Sequence, residues 1–162
     1  MRAKPGARAA WVACILLLAC STERQTQYGP GSQVTAYLQG VRQLLQELRA
    51  LNKEMAAAVP GDTVDTSVII PLIAGKFQPT LLRLEERARQ LSPTPQLEPV
   101  HQKLQEYLRL WREAYDLALQ GDREHKPELF VEFGRRQLQA DRAGRALEDE
   151  LTQVRQGLPG GR

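Results

Sequence analysis

Beyond residue 33 the chain carries four long segments in which apolar or small residues recur three and four apart, the spacing that lays a continuous stripe along a helix. The first stripe runs Val34, Tyr37, Val41, Leu44, Leu48, Leu51, Met55, and the second Ile70, Ala74, Phe77, Leu81, Leu84, Ala88, Leu91. The third is Leu97, Val100, Leu104, Tyr107, Trp111, Ala114, Ala118. The fourth is Phe130, Phe133, Gln137, Ala140, Gly144, Leu147, Leu151, Val154, with Gln137 its polar member. Each predicts a helix of roughly 33 Å or a little more. Similar lengths and short connections predict an all-α domain, an antiparallel up-down-up-down four-helix bundle over residues 33–156, closed by a short tail at 157–162.

Breakers and caps mark the connections. Ala58-Val59-Pro60-Gly61-Asp62 ends the first helix, Thr66 or Ser67 caps the second, and Ser92-Pro93-Thr94-Pro95 separates the second from the third. Pro99 falls in a first turn, where its missing N–H is harmless. Gln120-Gly121-Asp122 reads as the end of the third helix, and Pro127 opens the fourth. Pro79 predicts a kink between Gly75 and Pro79 in a continuous second helix whose stripe keeps its register, with two separate pieces as the alternative, and the β-branched run Thr66, Val68, Ile69, Ile70 also suits an extended start.

The first 32 residues follow a different pattern. Arg2, Lys4 and Arg8 precede an apolar run from Ala9 to Ala19, and polarity returns at Ser21. This is the n-region and h-region of a signal peptide, and the run is about half of the roughly 20 apolar residues a transmembrane helix needs. Leu17-Leu18-Ala19-Cys20 resembles the lipobox of bacterial lipoproteins. The resemblance covers the first 21 residues. It implies a signal peptide over 1–19 and a mature chain that begins at Cys20 and is anchored in a membrane by diacylglycerol on that thiol. Ser21, not being acidic, implies the periplasmic face of the outer membrane. Residues 20–32, with Gly29-Pro30-Gly31 and no periodicity, read as the lipidated cysteine and a flexible tether spanning roughly 20 Å.

Composition and charge narrow the function. Three of the 22 basic residues lie in the signal segment, which leaves 19 against 19 acidic. A neutral mature chain has no net electrostatic footprint for nucleic acid or for anionic lipid headgroups. Cys14 and Cys20 are the two cysteines, so residues 21–162 contain no thiol for a disulfide or a thiolate metal site.

Few residues suggest chemistry. Glu98-Pro99-Val100-His101 has the spacing of a di-iron carboxylate motif, but the second such motif and the inward glutamates are missing, and His101 is expected to be partly exposed beside Glu98. Met55 and His101 fall at opposite ends of parallel helices, which argues against haem ligation, and no cofactor or metal is expected. No nucleophile motif or phosphate-binding loop is present, so the chain does not read as an enzyme. The charges Glu106, Arg109, Arg112, Glu113 and Asp116 read as a solvated face, as do Arg135, Arg136, Arg142 and Arg145.

Tyr107, Trp111 and Tyr115 form an aromatic line. With the turn placed near Asp122, Trp111 is expected opposite Gly134 to Gln137, and Tyr107 opposite Ala140. Core packing is one outcome; an apolar pocket opened by Gly134, Ala140 and Gly144 is the other. Two functions follow from the sequence. The leading one is a membrane-anchored envelope lipoprotein that is structural or binds a protein partner. The alternative is a carrier or sensor that holds a small hydrophobic ligand between its helices.

Overall fold

A computed structural model describes residues 24–58 and 65–159. Residues 1–23, on which the expected signal peptide and Cys20 fall, residues 59–64 of the first connection and the last three residues lie outside the described residues. The fold is an all-α bundle. Helix α1 spans Gly31–Ala58, α2 spans Thr66–Leu72, α3 spans Gln78–Gln90, α4 spans Glu98–Glu124 and α5 spans Pro127–Gln156. A π turn over Ile73–Phe77 joins α2 to α3 in one helical rod, so the bundle has four members. None of the described helices is long and apolar enough to cross a membrane.

Cross-helix ion pairs fix the directions of the members. Arg87 of α3 meets Glu47 of α1 at 2.6 Å and Lys76 meets Glu54 at 2.5 Å, so the second member runs antiparallel to the first. Arg112 of α4 meets Glu85 of α3 at 3.1 Å, and Arg136 of α5 meets Glu113 of α4 at 3.3 Å. Arg49 of α1 and Glu148 of α5 close the ring at 2.5 Å. These pairs are largely exposed and select the arrangement more than they stabilise it. Stability rests on the stripes: all seven residues of the first are buried, and the third and fourth turn the expected residues inward with Tyr107, Phe130, Phe133 and Gln137 part-buried.

The second stripe differs. Below Phe77 it is the expected Leu81, Leu84 and Ala88, but above Phe77 the buried residues are Ile69 and Ile73, while Ile70 is part-buried and Ala74 exposed. The π turn takes up one extra residue, so the register does not carry through. Its wider turn, closed by Gln78 N–H donating to the Ile73 carbonyl, also removes the clash that the Pro79 ring would make in a regular α-helix. The π turn therefore lies where the proline predicts a kink. Asp65 caps this rod instead of Thr66 or Ser67, accepting from Ser67 N at 2.9 Å and Ser67 Oγ at 2.6 Å. Those two bonds hold its carboxyl below the usual carboxylate range.

Two further boundaries differ from the sequence reading. Helix α4 continues through Gly121 to Glu124 and ends with His125 in the left-handed conformation (φ 53°). Gly121 is there because α5 crosses closely: a Cβ would stand 3.1 Å from Leu129 Cβ and 3.3 Å from the Lys126 carbonyl oxygen. The segment expected to be a tether is partly folded. Gln25–Thr26 and Gly29–Pro30 pair as a two-stranded hairpin, and α1 begins directly after it. Thr94, itself buried, donates its hydroxyl to the Tyr28 carbonyl at 2.5 Å, and Tyr28 packs against the core. Gly29 takes φ 111°, which favours glycine, and its α-carbon faces Thr94 too closely for a side chain.

Candidate functional site

Where the C-terminal half of α1, the first turns of the second rod, the middle of α4 and the first third of α5 meet, the bundle opens into a pocket of about 290 Å³. Asn52 and Met55 come from α1, Ile69 from α2, Trp111 from α4, and Phe133 and Gln137 from α5. Among the described residues, no ionisable side chain lines it. Beside it is an aromatic cluster: Tyr115 stacks on Phe77 with centroids 5.9 Å apart, and also meets Trp111 at 5.8 Å and Phe133 at 6.3 Å. Stacked rings give the pocket a stiff wall.

The polar atoms here are unusual. Asn52 Oδ1 and Tyr115 Oη are buried and have no hydrogen-bond partner among the described residues, whereas the buried Trp111 Nε1 interacts weakly with the Tyr107 hydroxyl. An unpaired buried polar group costs roughly 1–3 kcal/mol, so two in one neighbourhood ask for an explanation. Burial drives the Tyr115 phenol well above its ordinary value and keeps it protonated. The Tyr107 phenol is also raised by burial, with the neighbouring Trp111 indole acting against the shift.

The expected pocket residues divide. Trp111 and Gln137 come together in the pocket wall. Tyr107 does not face Ala140: it lies over Gly144, where a Cβ would be 2.9 Å from its ring, and Ala140 is fully buried in the helix contact. Gly134 has open space beside it, with nothing within 4 Å of its Cβ position. The cause is the extra turn of α4. With His125 and Lys126 as the whole connection, each α4 residue pairs about one turn further along α5 than a turn at Asp122 predicts. The Gly144 opening is therefore filled by Tyr107, and the free volume lies nearer the α4–α5 turn. Asn52, Met55, Ala56, Ile69 and Phe133 complete the pocket; the stripes contained Met55 and Phe133, but nothing in their spacing brought α1 and α2 to the same place.

Outside the pocket, His101 is buried at 6% exposure, not partly exposed. Its Nδ1 stands 3.5 Å from the Tyr37 hydroxyl and its Nε2 2.9 Å from Gln105 Nε2, a core polar contact. Among the described residues, no three of His, Cys, Asp and Glu gather closely enough to hold a metal. The α4 charges pair locally, Arg109 with Glu106 at 2.6 Å and with Glu113, and Arg112 with Asp116 at 2.9 Å. On α5, Arg135 pairs with Glu132, while Arg142 and Arg145 form no ion pair among the described residues. No protein-family model, characterised protein or solved structure matches this chain, so the site is read from its own geometry.

Proposed function

We propose that this protein is a lipoprotein of the bacterial envelope, anchored through diacylglycerol on Cys20 at the periplasmic face of the outer membrane, and that its bundle is a non-catalytic carrier or sensor for a small, neutral, largely apolar molecule. The observation that carries the ligand reading is the coincidence of a pocket of about 290 Å³, lined among the described residues by uncharged side chains, with the buried, unpaired Asn52 Oδ1. A cavity of about 150 Å³ admits one benzene ring, so this pocket suits a molecule of roughly two fused rings. A hydroxyl or carboxamide on that molecule would donate to Asn52 Oδ1 once the side chains adjust.

Trp111 is the one tryptophan beyond Trp11, so the emission of the mature protein reports directly on the pocket. Titration with 2-naphthol, followed by native mass spectrometry, should give one equivalent bound and a raised melting temperature. Ala56→Phe, at an exposed position on the pocket wall, should abolish that binding and leave the fold intact. Equal binding by both forms would mean that 2-naphthol sits elsewhere. Failure of the native protein to bind would return the lead to a protein-interaction module, which Val131 and Leu138 favour, being 62% and 60% exposed and seven residues apart on α5.

A further inference from the structure

Lipidation at Cys20 has a geometric consequence that the docked hairpin sharpens. If the whole of residues 20–32 were loose, the bundle would tumble beneath the membrane. Instead the chain is fastened from Arg24 onward: Gly31 N donates to the Arg24 carbonyl at 3.0 Å, the hairpin follows, and Thr94 holds Tyr28. Between Cys20 and Arg24 there are four peptide links, which span at most ~14 Å. The bundle is about 40 Å long, judged from α4. The tether is thus shorter than the body it holds.

Although the mature chain is neutral overall, its charge is unevenly placed. After Glu23, no acidic residue occurs from Arg24 to Gln46, from Gln90 to Leu97, or from Leu151 to Pro159. Arg24 and Arg155 lie at the hairpin end and Arg42 about 16 Å along α1 from it; they share a groove system with Leu158, and none forms an ion pair among the described residues. Glu98 is the acid at the start of α4, and Glu150, the next along α5, is paired with Lys103. The opposite end carries Asp65, Asp122, Glu124 and Glu128 against Arg123 and Lys126, the latter paired with Glu124 at 2.6 Å. The hairpin end is thus the more cationic of the two, which favours that end in the field of anionic headgroups.

We infer that the hairpin end of the bundle is a membrane-facing surface, held against anionic lipid headgroups by the short tether and by Arg24 and Arg155, which leaves the α4–α5 turn pointing into the periplasm. This rests on the lipoprotein reading and is independent of the ligand. The mature domain has no thiol beyond Cys20, so a single fluorophore can be placed by Gln96→Cys at the hairpin end or Asp122→Cys at the far end, both exposed positions. The full chain, processed in bacterial cells, is reconstituted into phosphatidylethanolamine–phosphatidylglycerol vesicles carrying a headgroup spin-labelled lipid. Quenching at Q96C should exceed that at D122C several-fold, and the contrast should shrink in vesicles without phosphatidylglycerol. Equal quenching at both positions, or a contrast indifferent to phosphatidylglycerol, overturns the inference. Mass spectrometry of the N-terminal peptide separates the two failures: an unlipidated Cys20 removes the anchoring reading and the inference together, whereas a lipidated Cys20 with equal quenching removes the orientation alone.

Discussion

Gly121 and Gly134 both lie within helices, yet alanine should act oppositely at the two. In a helix interior, replacing glycine with alanine gains up to about 1 kcal/mol from reduced backbone entropy in the unfolded chain. At Gly134 nothing lies within 4 Å of the new Cβ, so the gain is realised nearly in full. At Gly121 the methyl would meet Leu129 Cβ at 3.1 Å, the Phe130 ring at 3.2 Å and the Lys126 carbonyl oxygen at 3.3 Å. That carbonyl belongs to a two-residue turn, and Lys126 N in turn donates to the Gly121 carbonyl at 2.9 Å, so the turn cannot recede without losing this bond. Overpacking of this kind costs about 1–3 kcal/mol, against a propensity gain made smaller by the position near the end of α4. The two variants should differ by about 1–3 kcal/mol, with Gly134→Ala above the parent and Gly121→Ala below it. For a domain of this size that is a melting-temperature difference of several degrees, on the order of 3–12 °C, read by circular dichroism at 222 nm. Gly121→Ala should also shift Trp111 emission, because the α4–α5 crossing sets the height of Trp111 in the pocket. A Gly121→Ala protein that melts as high as Gly134→Ala would refute the close crossing and the register built on it.

Three other outcomes follow from the same geometry. Tyr115→Phe removes a buried hydroxyl that has no partner among the described residues, so urea unfolding should show a gain of about 1 kcal/mol; a loss instead would mean that the hydroxyl is satisfied, for example by a bound water. Thr94→Val deletes the bond to the Tyr28 carbonyl and should open the hairpin by about 1 kcal/mol, raising tryptic cleavage after Arg24 about fivefold with little change in global melting; unchanged cleavage would mean the hairpin is held by other contacts. Tyr37, Tyr107 and Tyr115 have phenols raised above the ordinary value of 10.0, so they stay protonated in the folded chain at a pH where the unfolded chain ionises. Their contribution is complete below pH 10 and declines above it, by at most about 1.4 kcal/mol per pH unit for each tyrosine. Urea midpoints at pH 9 and pH 11 test this, and Tyr37→Phe should make the decline shallower; an unchanged slope would refute the assignment.

The stripes were legible in the sequence because a helix that buries one face must repeat every three or four residues, and α1 shows this without exception. Gly121 was misread because a glycine that stops a helix and one that lets another helix approach look alike in sequence; only the partner's Leu129 and Phe130 tell them apart. That one residue moved the turn, and the moved turn carried Tyr107 from Ala140 to Gly144. The hairpin was hidden for a related reason: Gly29-Pro30-Gly31 suits a loose linker as well as a tight turn, and its docking depends on Thr94, more than sixty residues away. The pocket needed all four members in place, so sequence spacing found Trp111 and Gln137, on neighbouring helices, and not Asn52 or Ile69.

The π turn between α2 and α3 amounts to a helix with one residue too many. Removing that residue, at the exposed Gly75, would bring Ile69, Ile73, Phe77 and Leu81 to the four-three-four spacing of an ordinary α-helix and would leave the inward faces as they are. Pro79 alone would object, since its ring fits only the wider turn. Insertion and proline are therefore coupled: each is tolerable in the presence of the other, and a change that erases one makes the other a defect. Any comparison of this chain with a homologue should expect the gap and the proline to appear or vanish together, and an alignment that places the gap elsewhere in the second helix would put Ile69 and Ile73 on the wrong face.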